Sequence, residues 1–232
     1  MDRIIEVKGN NNSRIIIGSL KTNLPQLVEG RKVVVITDEN VFNVYSEIIT
    51  QYPYIVIACG EQHKTLDDLD AIYSRLLELH VDRHSCIVGF GGGIVTDITG
   101  FVASTYQRGV DFGFVATSLL AQVDASVGGK NGVNHHGFKN MIGVFNQPRF
   151  VVCDVDLLRS LPIREFRAGL AEIIKAGVIK SRSLFEKFER NSFDGFYRDK
   201  SLLEDVIYES INIKAEVVRQ DEHELGERKK LN

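Results

Sequence analysis

Ile87-Val88-Gly89-Phe90-Gly91-Gly92-Gly93-Ile94-Val95-Thr96-Asp97 decides the fold. An apolar strand, Ser85–Phe90, runs into three consecutive glycines, and Ile94–Ser104 reads as a helix entering the core. Glycines let a backbone approach a pyrophosphate, and a helix N-terminus supplies free N–H groups and positive potential. The strict dinucleotide fingerprint is not met, because Thr96 stands where a third glycine belongs. The turn therefore asks for a phosphate-bearing ligand without fixing its class. Further on, Asp111–Thr117 is a strand ending at the hydroxyls of Thr117 and Ser118, and Ser118–Val127 reads as a short helix carrying Asp124. Gly128–Gly137 reads as a loop rich in glycine, asparagine and histidine, with Lys130 near its start. Gly129-Lys130 is no Walker motif, since Asp124 and Asn131 occupy positions that motif reserves for glycine and a hydroxyl.

Upstream, Arg14–Gly18 and Lys32–Thr37 are β-branched runs, and Lys32–Thr37 is continuous, as a buried parallel strand should be. Asp38 lies just past its end, where ligands gather in open α/β sheets; it could equally cap the following helix. Tyr54–Ala58 is the next strand. Glu61-Gln62-His63-Lys64 follows it, then an amphipathic helix over Thr65–His80 with Leu66, Leu69, Ile72, Leu76 and Leu77 at helical spacing. Glu61 and Lys64 thus sit at the carboxyl edge, as ligand contacts or as a solvated pair. Asp111 stands at the spacing of a ribose-binding acid, but it comes just after Gly109 where a new strand begins, which argues against that role. Arg149–Cys153 is a further strand. Alternating strands and helices make this part α/β, a Rossmann-like, mainly parallel sheet. After Leu161-Pro162 only helical periodicity remains, which predicts an α/β domain over 1–161 and a helical domain over 162–232.

The 232 residues carry a net charge of -3, so no general affinity for nucleic acid is expected and any anion site must be local. No apolar run approaches the ~20 residues of a membrane span, and the N-terminus lacks a signal-peptide shape. Cys59, Cys86 and Cys153 read as reduced, packed thiols of a cytosolic protein. Glu172 and Lys175 share a face of an otherwise apolar helix, as an ion pair or as groups reaching into a cleft. Asp221-Glu222-His223-Glu224 reads as a solvated helix end. The six histidines offer no three convergent ligands, so the residues alone indicate no metal site.

Together these segments resemble the 3-dehydroquinate synthase family over most of the chain. The resemblance rests on Gly60–Lys64, Gly91–Ala103, Leu119–Lys130, Lys139–Gly143, Ala171–Lys175 and Asp221–Glu224. It implies a lyase that converts 3-deoxy-D-arabino-heptulosonate 7-phosphate to 3-dehydroquinate and phosphate, with NAD and a zinc or cobalt ion. By resemblance NAD would be held by Asp38, by Glu61, Gln62, His63, Lys64, Thr65 and Leu66, and by Gly92, Gly93, Ile94, Val95, Thr96 and Asp97. Thr117, Ser118, Lys130, Lys139, Leu157, Leu158, Arg159 and Ser160 would complete that site. Asp124, Lys130, Lys175 and Lys214 resemble catalytic groups that also touch substrate, joined by Asn140, Arg228 and Asn232. Arg108 resembles an arginine that enters a neighbouring subunit's site, which implies a homodimer. Glu172 resembles the first metal ligand. Another sugar-phosphate cyclase, or a polyol dehydrogenase of the glycerol-dehydrogenase type, is the alternative.

Departures from the family pattern are mild within the chain: Ala116-Thr117-Ser118 for Pro-Thr-Thr, Ser160 for threonine, and Asn131 for threonine after Lys130. The family continues beyond the equivalent of Asn232 into a segment bearing two further metal-binding histidines. A chain ending at Asn232 is therefore expected to be a truncated, catalytically inactive synthase.

Overall fold

A computed structural model describes residues 2–7 and 12–231. Strands β1 (Arg3–Val7), β2 (Ser13–Ile17), β3 (Val33–Asp38), β4 (Tyr54–Ile57), β5 (Cys86–Gly91), β6 (Asp111–Ala116) and β9 (Phe150–Cys153) form one sheet in the order β1-β2-β9-β6-β5-β3-β4. All pairings are parallel except β1 with β2. The expected Rossmann-like sheet is therefore present, with an antiparallel strand added at one edge. Helices α1 (Leu20–Leu27), α2 (Glu39–Ile49), α3 (Leu66–Glu78) and α4 (Gly93–Thr105) connect the strands.

The continuous apolar strands are explained by cover on both faces. Val34, Ile36, Ile87, Phe112, Phe114 and Val151 point into one core. Their neighbours Val33, Val35, Val88, Val115 and Val152 point into the other. The alternation is that of a strand pleat. Strand β5 is buried along its whole length, so its end, Gly91, is fixed relative to the sheet.

Residues 128–137 are not a loop. Lys130–His135 is β7, and it pairs antiparallel with β8 (Phe138–Phe145) in a separate two-stranded hairpin. Neither strand has the clean apolar alternation that marks a strand in sequence: β8 is exposed along most of its length, and β7 is anchored by a buried asparagine. The hairpin lies on α4. That accounts for a helix that buries Val95, Ile98, Thr99, Phe101 and Val102 around most of its circumference, between sheet and hairpin. Gly100 makes the contact possible, since a Cβ there would fall 1.9 Å from the Asn131 Oδ1.

After β9 the chain is helical: α5 (Ile163–Lys180), α6 (Arg182–Arg190), α7 (Phe193–Arg198) and α8 (Lys200–Gln220). Phe166, Leu170, Ile173, Leu203, Val206, Ile207 and Ile211 join the same core that covers one face of the sheet. Arg3 of the edge strand ties down α8 through Asp205 at 2.5 Å. Among the described residues no helix is long and apolar enough to cross a membrane.

Candidate functional site

The strand ends β3, β5 and β6 deliver Asp38, the glycine turn and Thr117 to one edge of the sheet, because the three strands run parallel and in register. Asp38 accepts the Val41 N–H at 2.9 Å, so the capping role is real. Gly92 is the N-cap of α4 and no side chain caps that helix. A Cβ at Gly92 would stand 3.4 Å from the Ser118 Oγ, and one at Gly93 would stand 3.4 Å from the Ala125 Cβ. Bare backbone, an uncapped helix start and hydroxyls opposite are what a dinucleotide pyrophosphate requires, so these residues fit NAD.

Other members of the expected dinucleotide site vary in access. Glu61, Gln62 and His63 form a short 3-10 turn, and Thr65 caps α3. Ser160 bonds the Tyr45 hydroxyl at 2.7 Å, while the Arg159 side chain is exposed and pairs with Asp156. Leu157 and Leu158 bury their side chains in the core, and the Leu157 carbonyl accepts the Tyr45 hydroxyl at 2.9 Å. Val95 packs beneath Gly91, and Thr96 is fully buried.

Lys64 does not pair with Glu61 as its position in the loop suggests. It is 3% exposed, and its ammonium bonds the Asp97 carboxylate at 2.5 Å and the Asn140 Oδ1 at 2.6 Å. Burial pushes the Asp97 carboxyl up to about 6 despite Lys64 beside it. Glu61 instead meets Asn134 at 3.0 Å and Lys139 at 3.8 Å.

Below this edge lies a cavity of about 570 Å³, lined by Asp97, Asp124, Lys130, Asn140, Lys214 and Arg228, among others. These come from α4, the π-helical turn Ala121–Ala125, the hairpin, α8 and the segment after it. Lys214 donates to the Asp124 carboxylate and, at 2.7 Å, to the Asp124 carbonyl. Burial would push Asp124 up, but Lys214, Lys175 and Lys130 outweigh it and hold the carboxyl below its usual range. Burial pulls the Lys214 ammonium down. Lys130 is lowered to about 8, first by burial and then by Arg228 and Lys214. Arg228 donates to the carbonyls of Gly128 at 2.8 Å and Glu222 at 2.6 Å and lies against the Phe145 ring. Lys175 faces a smaller adjoining hollow with Glu172, Asp124 and Lys214. Arg108 is not in the cavity lining, and Asn232 lies outside the described residues.

Sequence reasoning missed Glu224. The run Asp221–Glu224 is not a solvated helix end: α8 stops at Gln220 and the chain folds back. Asp221 ties that return by accepting the Leu225 and Gly226 N–H groups, both at 2.7 Å. Glu224 then enters the cavity and pairs with Lys130. No local signal marked it, because its partner Lys130 lies on the distant hairpin. Glu172 pairs with Lys175 one turn along α5. Among the described residues no three His, Cys, Asp or Glu side chains are grouped to hold a metal ion. The described residues therefore do not by themselves fit the expected metal.

Fold and site together define a doubly wound α/β protein whose glycine turn stands over a cavity lined by both cations and carboxylates. Residues 54–168 match 3-dehydroquinate synthase N-terminal, and residues 169–232 match 3-dehydroquinate synthase C-terminal. The chain belongs to the 3-dehydroquinate synthase family. It is 47% identical over 224 residues to a 3-dehydroquinate synthase of Pelotomaculum thermopropionicum, covering 93% of this chain and 60% of that one. It thus spans about three-fifths of the length of the curated relatives it matches. Among solved structures, a 2-deoxy-scyllo-inosose synthase complexed with carbaglucose-6-phosphate, NAD+ and Co2+ superposes at a TM-score of 0.85 and 24% identity. That match covers 100% of this chain and 66% of the other. A 2-epi-5-epi-valiolone synthase of Streptomyces hygroscopicus with NAD+ and Zn2+ superposes at 0.84 and 24% identity, over 97% and 66% of the two chains. A protein of Sinorhizobium meliloti described as a probable glycerol dehydrogenase superposes less closely, at a TM-score of 0.66 and 15% identity, over 93% of this chain and 68% of that one.

Proposed function

We propose that this chain supplies the NAD site and most of the substrate cations of a 3-dehydroquinate synthase acting on 3-deoxy-D-arabino-heptulosonate 7-phosphate. The observation that carries the proposal is the convergence of Lys130, Lys214 and Arg228 on one cavity with Asp124 and Asn140. Such a cluster suits a ligand with a phosphate at one end and a carboxylate at the other. Asp97 belongs to α4, whose N-terminus forms the glycine turn, and it lines the cavity, so dinucleotide and sugar would meet there. NAD, when bound, supplies a reversible hydride acceptor that acidifies the neighbouring C–H. Lys130 and Arg228 would hold the phosphate through its departure, and Lys130, lowered to about 8, can also release a proton near neutrality. Lys214 fixes Asp124 by a two-point contact, which leaves the second carboxylate oxygen for a sugar hydroxyl.

The same proposal divides the chain near Leu161 into a dinucleotide part and a substrate part, and places the protein in the cytoplasm. It also makes the protein a homodimer through Arg108. In support, Gln107 and Arg108 have φ of 49° and 67°, two successive non-glycine residues in the left-handed region. Each costs ~1–3 kcal/mol and persists only where its surroundings enforce it, and the turn presents an exposed arginine. Turnover is proposed for the family-length polypeptide with a bound divalent ion. For the 232 residues by themselves, dinucleotide binding without turnover is proposed.

Phosphate release from the heptulosonate phosphate, followed together with NADH absorbance, tests this. The expected result for the family-length polypeptide is phosphate release with no net NADH. Net NADH from glycerol would instead favour a polyol dehydrogenase, and cyclisation of a different sugar phosphate another cyclase. Phosphate release by the 232 residues alone would overturn the assignment of inactivity.

A further inference from the structure

Asn134 touches neither the cavity nor the glycine turn, yet it binds both sides of the site together. It sits at the register shift between Val133 and His135, where β7 departs from β8 and bridges to Thr65 instead. Its N–H donates to the Lys64 carbonyl at 2.7 Å. Its side-chain amide donates to the Glu61 carboxylate at 3.0 Å. Its side-chain oxygen accepts the Asn140 N–H at 2.9 Å. Lys64 closes the ring by donating to the Asn140 Oδ1 at 2.6 Å.

Asn140 is the residue this ring constrains. Its φ is 53°, the left-handed region, although it lies within β8. Asparagine tolerates that conformation better than most residues, but it still needs its surroundings to enforce it. The Asn140 side chain lines the large cavity, while Glu61 and Lys64 belong to the proposed dinucleotide side. We infer that Asn134 is a positioning residue: its carboxamide, donor to one side and acceptor from the other, sets Asn140 for the sugar phosphate and Glu61 for the dinucleotide. The inference rests on the proposed two-ligand site and adds the residue that couples its halves.

The chemistry separates two variants. Asn134→Asp keeps an acceptor for the Asn140 N–H but loses the donor and sets a carboxylate against Glu61. Asn134→Ala loses both. The measurements are Kd for NAD, Kd for the heptulosonate phosphate, and hydrogen exchange at the Asn140 amide, all on the full chain after circular dichroism confirms folding. Asn134→Asp is expected to weaken NAD about tenfold, leave the sugar phosphate within about twofold, and keep the Asn140 amide protected. Asn134→Ala is expected to weaken both ligands and expose that amide. Wild-type affinities in both variants, or an Asn140 amide equally protected in wild type and Asn134→Ala, would overturn the inference. If the wild type binds no NAD, the functional proposal fails; the exchange at Asn140 still decides whether Asn134 positions it.

Discussion

The Lys214 ammonium contacts Asp124 twice, at its carboxylate and at its carbonyl, across 90 residues of sequence. One bond ties side chain to side chain and the other ties α8 to the backbone of the π-helical turn. The pair therefore joins the helical part to the segment that follows β6. The Lys214 side chain is 15% exposed, while Asp124 retains 38% on the cavity side. This asymmetry leaves Asp124 the more reachable of the two, while Lys214 both holds Asp124 and lines the cavity beside it.

Removing the lysine should therefore cost stability as well as binding. Lys214→Met keeps the aliphatic stem but leaves a partly buried carboxylate and a carbonyl without their donor. A loss of roughly 1–3 kcal/mol is expected, below the value for a wholly buried pair because Asp124 can still reach water. The urea midpoint reads this loss directly, and an unchanged midpoint would show that the contact is not formed in solution.

Asp97 should make stability depend on pH in an unusual direction. Its carboxyl is raised from 3.8 to about 6, so between those values the folded protein binds more protons than the unfolded chain. Stability from this group is thus greatest in acid and falls as pH rises from about 4 through about 6, opposite to a carboxylate stabilised by its partner. Asp97→Asn should flatten that slope, while also lowering stability overall by leaving the buried Lys64 without its anion. Urea midpoints at several pH values for both proteins check the sign; parallel curves would refute it.

The sheet was legible because its strands are buried on both faces and so carry unbroken apolar runs, as in Val33–Ile36 and Cys86–Val88. The glycine turn was legible because only glycine leaves room there for a ligand. The hairpin β7–β8 was not, since Lys130–His135 draws its order from Asn131 and Gly100 on a distant helix rather than from any local pattern. Lys64 was misjudged for a related reason: its partners Asp97 and Asn140 lie 33 and 76 residues away. Family resemblance marked Lys64, Asp97 and Asn140 as site residues, but only the fold reveals that they hold one another.

Lys130 should make anion binding fall in mild alkali. With its ammonium lowered to about 8, it is mostly charged at pH 7 and mostly neutral at pH 9. Affinity for the heptulosonate phosphate should drop about tenfold over that interval if the charge is required. Lys130→Arg keeps its charge throughout and should remove most of the drop, although its planar fork will not reproduce wild-type affinity. Isothermal titration at the two pH values separates the cases, and an equal drop in the arginine variant would point to another group.

The contact between Gly100 and Asn131 yields a test with a second-site rescue. A Cβ at position 100 would stand 1.9 Å from the Asn131 Oδ1 and 3.0 Å from its Cβ, so Gly100→Ala must displace the carboxamide. That group donates to the carbonyls of Gly129 at 3.0 Å and Asn146 at 2.8 Å, which hold the two ends of the hairpin together. Gly100→Ala is expected to destabilise by ~1–3 kcal/mol through overpacking, despite the better helix propensity of alanine. Asn131→Ala alone should also destabilise, because it leaves two carbonyls unpaired. Combined, the two should cost less than their sum, since the second substitution removes the atoms with which the first collides. A double-mutant cycle in urea measures this coupling. Strict additivity would mean that the hairpin does not rest on α4 through this pair. Cooperative recovery would place the hairpin, and Lys130 and Asn140 with it, under the control of one glycine in the helix that begins at the dinucleotide turn.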